Sequence, residues 1–65
     1  MDRKKIAEKL VALRGKRKQS EIASKLGISD SAYSSYETGD RIPSDDVKIK
    51  IAKLYHKSVQ YIFFT

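Results

Sequence analysis

Apolar residues recur along this chain at helical spacing, in short stretches broken by glycine, serine and proline. In the first stretch Ile6, Leu10 and Leu13 fall at i, i+4 and i+7, one stripe of a helix. That helix starts near Asp2 or Arg3 and runs to Arg14. Gly15 ends it, and Arg14 sits in the last turn, where a cation favours the helix dipole. A second helix is predicted from Gln19 to Leu26, with Ile22, Ala23 and Leu26 on its inner face and Gly27 as its stop. Ile28 plugs the turn that follows. Ser29 is a good N-cap, and Asp30 places negative charge at the start of a third helix. This helix runs to Thr38 and stops at Gly39. Its apolar side is Ala32, Tyr33 and Tyr36.

Ser44 reads as the cap of a fourth helix over Asp45–Tyr55, with Asp45 and Asp46 in its first turn. The run Val47-Lys48-Ile49-Lys50-Ile51 alternates apolar and polar, which is a strand signal. Helix is preferred because of the cap and because Val47, Ile51, Leu54 and Tyr55 continue at helical spacing. Ser58 caps a short fifth helix ending near Phe64. No stretch leaves room for a sheet. The expected fold is all-α, a compact five-helix bundle forming one domain over residues 1–65. A chain of this size buries only about 60% of its unfolded surface.

The segment QSEIASKLGISDSAYSSYETG, from Gln19 to Gly39, thus becomes two short helices joined by a tight turn. The second presents small polar side chains outward. This is a helix-turn-helix, and it makes sequence-directed binding to duplex DNA the leading expectation. Composition agrees. The net charge is +6, with 14 basic against 8 acidic residues, the electrostatic footprint of a polyanion binder, although a merely solvated surface looks the same by charge alone. The chain has no cysteine, so disulfides and thiolate metal sites are excluded. Its one histidine, His56, lies beside Lys57 without metal-ligand companions and reads as a surface residue. The carboxylates lie at helix starts, where capping explains them, and no phosphate-cradling glycine loop is present. No enzymatic activity, cofactor, metal or small-molecule ligand is expected. The longest apolar run, Tyr61 to Phe64, is far too short to span a membrane, and no signal-peptide pattern opens the chain. A cytoplasmic location fits.

Gln19, Ile22-Ala23, Leu26-Gly27-Ile28-Ser29, Tyr36-Glu37, Gly39, Pro43-Ser44, Ile51-Ala52 and Ser58-Val59 occur in order and at compatible spacings. Together they resemble the phage repressor and Cro family, the Xre-type helix-turn-helix, over almost the whole chain. The resemblance implies a lambda-repressor-like five-helix bundle, DNA binding as a homodimer and a role in transcriptional control, in a bacterial or phage-encoded setting. Three departures stand out. The connection from Arg14 to Gln19 is shorter than the commonest form. Lys18 stands where a capping threonine usually does, and His56 where a glycine does.

By the family pattern the groove-facing positions are Ser29, Asp30, Ser31, Ser34 and Ser35, with Thr38 nearer a phosphate. Serine bonds several base edges and discriminates poorly. Asp30 either accepts from a cytosine amino group or only stabilises the dipole. Specificity is then expected to lean on DNA shape and phosphate register. Gln19 is expected to hold a phosphate and buttress the third helix. Lys16, Arg17, Lys18 and, on the other side, Arg41 are the remaining phosphate candidates, with Lys18 and Arg41 ranked first. Arg14 and Glu37 are expected to pair and fix the recognition helix. In the tail, Val59 and Ile62 are expected to close the core, leaving Tyr61, Phe63 and Phe64 as a partner surface. That surface serves a symmetric dimer or contacts a further segment of a longer protein. The competing reading of the chain is a protein-interaction module, an antitoxin or adaptor, built on the same fold.

Overall fold

A computed structural model describes residues 2–64. Five helices follow one another: α1 Arg3–Arg14, α2 Gln19–Leu26, α3 Asp30–Thr38, α4 Asp45–Tyr55 and α5 Val59–Phe63. There is no strand among the described residues. The sequence pattern therefore placed every helix within a residue or so of its observed ends.

Capping accounts for most of these boundaries. The Asp2 carboxylate accepts from the backbone N–H of Lys4 and Lys5 at 3.0 and 3.2 Å. Ser29 and Ser58 accept from the N–H groups of Ala32 and Tyr61, both at 3.0 Å. Lys18, as expected, makes no side-chain cap. Ser44 differs from expectation, because its hydroxyl makes no cap bond either. There only the Ser44 carbonyl engages the helix, accepting from Lys48 N at 2.9 Å, and Asp45 and Asp46 supply the favourable first-turn charge.

At the other ends, α2 and α4 close in the same way. Gly27 is left-handed at φ 73°, with its N–H on Ser24 O and that of Ile28 on Ala23 O. After α4 the left-handed residue is His56, at φ 57°, with its N–H on Lys53 O and that of Lys57 on Ala52 O. Both are 6→1 and 5→2 closures that satisfy orphan carbonyls. His56 is exposed and carries a Cβ where glycine is favoured. His56→Gly is expected to raise stability by about 0.5–1 kcal/mol, read as a higher urea midpoint at unchanged slope; an unchanged or lower midpoint would refute the strain argument.

Ile6, Leu10, Ile22, Ala23, Leu26, Tyr33, Tyr36, Ile51, Ala52, Tyr55, Ile62 and Phe63 form the core. Leu13, Ile28, Ile42, Val47, Leu54 and Val59 pack around it, half-buried. The α3 helix packs on both α1 and α2, while α5 is held by α4 and α1. The recognition helix is thus braced from behind by two helices.

The alternating run in α4 is helical, as expected, while α5 corrects the expected partner surface. Lys48 is only 6% exposed, whereas Ile49 is 47% exposed. The reason is the helical period: Lys48, Ile51, Ala52 and Tyr55 lie at i, i+3, i+4 and i+7, on one inner stripe. The Lys48 ammonium lies 5.8 Å from the Phe63 ring centre, 5.5 Å from that of Phe64 and 3.5 Å from the Asp45 carboxylate. In α5, Phe63 does not belong to a partner surface. It is 1% exposed and closes the core with Ile62, and Val59 packs only at the margin. Five residues offer just over one turn, so two consecutive positions, 62 and 63, face inward. Tyr61 and Phe64 remain outside, 46% and 56% exposed.

Candidate nucleic-acid interface

The recognition helix α3 is held by a carboxylate at its C-terminal end. The Glu37 side chain is 3% exposed. Its Oε2 accepts from Arg14 Nε at 2.7 Å, and its Oε1 accepts from Arg14 Nη2 at 3.0 Å and Gln19 Nε2 at 2.8 Å. A carboxylate offers about four acceptor sites, so three of them are filled here. The acid stands on α3, and the side chains on it come from α1 and α2. One acid therefore locks three helices, and the Arg14 pair is bidentate.

This network extends inward. The Tyr33 and Tyr55 hydroxyls meet at 2.6 Å in the core. Either hydroxyl can donate to the other. Burial, with the hydroxyl contact added, holds the Tyr33 phenol well above its ordinary pKa, and burial also raises Tyr55. Both rings stay neutral. For Glu37, burial pushes the carboxyl up, but hydrogen bonds from Arg14, Gln19 and Tyr33 outweigh it and the net direction is down. Arg14 is raised in turn by its hydrogen bond to Glu37. The tyrosine pair, which ties α3 to α4, is a feature the sequence reading missed. Its only sequence signal was two tyrosines on the inner stripes of separate helices.

The short α1–α2 connection also engages Arg14. Arg14 Nη1 donates to Arg17 O at 2.7 Å. Arg17 folds back in exchange, donating through Nε to Arg14 O and through Nη2 to Leu13 O, with its guanidinium 5.2 Å from the Tyr55 ring centre. Of the three basic residues before α2, Arg17 thus closes α1, while Lys16 and Lys18 are exposed.

Along the outer face of α3, Ser29, Asp30 and Ser31 are exposed, and Ser34 and Ser35 are half-buried. Ser35 donates its hydroxyl to Ala32 O at 2.6 Å and Thr38 donates to Ser35 O at 3.1 Å. Those two hydroxyl protons are committed to their own helix. Arg41 is exposed beyond the C-terminal end of α3, its N–H bonded to Ser35 O. The arrangement is a braced helix with a polar tip, with exposed cations at Lys16 and Lys18 ahead of α2 and at Arg41 beyond the end of α3.

A family profile described as helix-turn-helix matches residues 6–62. The chain belongs to the helix-turn-helix family. It is of the Cro and C1 type, a family of DNA-binding transcription regulators. Neither curated proteins nor solved structures yield a match. The family match reaches into all five helices, α1, α4 and α5 included. Among the described residues no helix is long and apolar enough to cross a membrane, and no cluster of His, Cys, Asp or Glu is arranged to hold a metal.

Proposed function

We propose that this helix-turn-helix protein is a repressor, working in the cytoplasm as one domain, that binds a palindromic operator as a homodimer. The observation that carries the DNA-facing part is the geometry of α3. Its tip, Ser29 to Ser31, is exposed, as are Lys16 and Lys18 ahead of α2 and Arg41 beyond α3, while its other end is locked by the buried Glu37 carboxylate. Ser29, Asp30, Ser31, Ser34 and Ser35 would meet base edges, with Asp30 suited to a cytosine amino group. Lys16, Lys18, Gln19, Thr38 and Arg41 would hold phosphates. Gln19 gives one amide proton to Glu37, which fixes its orientation and leaves the other for a phosphate oxygen. Arg17 would act indirectly, by shaping the loop that carries its lysine neighbours.

Dimerisation is supported by size and by the tail. The longest extent of one copy is 26 Å, less than the roughly 34 Å between successive half-sites on one face of the duplex. Two half-sites therefore need two copies. Tyr61 and Phe64 supply exposed apolar area outside the recognition face. Occupying a promoter suffices for repression, whereas activation needs an additional polymerase contact.

The test is selection of bound duplexes from a random library at about 100–150 mM salt, where nonspecific binding is weakened. The expected product is a palindrome with half-sites about one helical turn apart. Enrichment of a single half-site would reject the dimer. No enrichment would reject sequence-directed binding and favour the protein-interaction module.

A further inference from the structure

The helices of the motif are short of positive charge. Between Gln19 and Gly39 stand three acids, Glu21, Asp30 and Glu37, and one base, Lys25. Lys25 lies 3.7 Å from Glu21, and Glu37 is matched by Arg14. The motif's own helices thus present no surplus charge to phosphates. The neutralising charge must come from residues around them, and Lys16 and Lys18 supply it on the α2 side. On the far side the interface so far holds Arg41 alone.

The start of α1 lies beside that residue. Gly39 is left-handed at φ 84°, and a Cβ there would meet Arg3 O at 3.6 Å and Arg3 Cβ at 3.9 Å. This close approach seats α1 against the end of α3. Arg3 Nη1 reaches the Asp40 carbonyl at 3.5 Å, one residue from Arg41. Arg3 is exposed and forms no ion pair with a carboxylate of the described residues. An open groove of about 540 Å³ between α1 and α3 adjoins it, floored by Ala7 and Val11. The side chain has room to turn outward without disturbing the core.

We propose that Arg3 is a phosphate contact, forming with Arg41 the second wall of the DNA interface. The inference rests on the DNA-binding reading of α3. It also makes α1 part of the interface as well as part of the support. A guanidinium suits the task, because one N–H can stay on the Asp40 carbonyl while the remaining fork meets phosphate oxygens.

The test measures binding of the full chain to a mixed-sequence 30-base-pair duplex across 50–200 mM salt, by fluorescence anisotropy. Phosphate contacts are sequence-independent, so no operator is required. Arg3→Gln is expected to flatten the log–log salt slope by about 0.9, so that over this range it loses about threefold less affinity than the parent chain. Arg3→Lys should retain the parent slope. Lys53→Gln, an exposed change on α4, should leave the slope unaltered. Thermal melts of each variant establish that the fold persists. If Lys18→Gln and Arg41→Gln flatten the slope and Arg3→Gln does not, the Arg3 assignment falls while DNA binding stands. If the parent chain shows no salt-dependent binding, both fall together.

Discussion

Glu37→Ala is expected to destabilise the protein by about 3 kcal/mol or more, the range for breaking a buried ion pair. For a domain of this size that lowers Tm by more than roughly 12 °C and approaches the whole folding free energy, about 3–10 kcal/mol. The loss is large because the carboxylate is nearly inaccessible and serves three helices at once. Its removal strands the Arg14 guanidinium and the Gln19 amide together. Adding Arg14→Met, which removes the orphaned cation, should restore part of the stability. DNA affinity should stay low in the double variant, because α3 has lost its brace. The same group sets an acid limit. Its folded pKa lies below its unfolded value, so its stabilisation is fully present above about pH 4.3 and is lost as pH falls through the folded pKa. The acid-side decline of stability should be shallower in the variant. Urea unfolding between pH 3 and pH 7 reads both effects. A loss under about 1 kcal/mol at neutral pH would mean that water screens the pair as it does at a surface.

Phe63→Ala should cost about 3–5 kcal/mol, whereas Phe64→Ala should change stability by less than about 1 kcal/mol. These neighbouring phenylalanines are chemically identical and differ only in placement. Phe63 is a wholly buried part of the core, and its loss opens a cavity under α5 and uncovers the Lys48 ammonium. Phe64 lies over half exposed beside the same lysine. Its loss should appear instead in self-association, measured by sedimentation equilibrium of folded protein. Equal destabilisation by the two changes would overturn the assignment of Phe63 to the core. A stable Phe64→Ala variant that self-associates like the parent would remove that ring from the dimer surface.

Element positions were legible because they depend on local rules. Periodic apolar residues, serine caps and glycine stops act within a few residues, and each leaves a mark in sequence order. The Arg14–Glu37 pair was foreseen through family resemblance, which carries tertiary information that spacing alone does not. Lys48 was not legible as an inner residue, for a physical reason. Its charge suggests solvent, but its long stem lets it occupy an inner-stripe position while two aromatic rings and Asp45 accommodate the ammonium.

By itself, the sequence determined five helices, most of their caps, the helix-turn-helix and a surplus of positive charge. Only the tertiary structure decided how that charge is distributed. It turned Arg17 inward to close α1, brought Arg3 to the Asp40 carbonyl across 37 positions of chain, and joined Tyr55 to Tyr33. It also chose Phe63 over Phe64 for the core. These outcomes depend on the angles at which helices pack and on which donors a buried acceptor can reach. Neither is written in the order of residues along one helix.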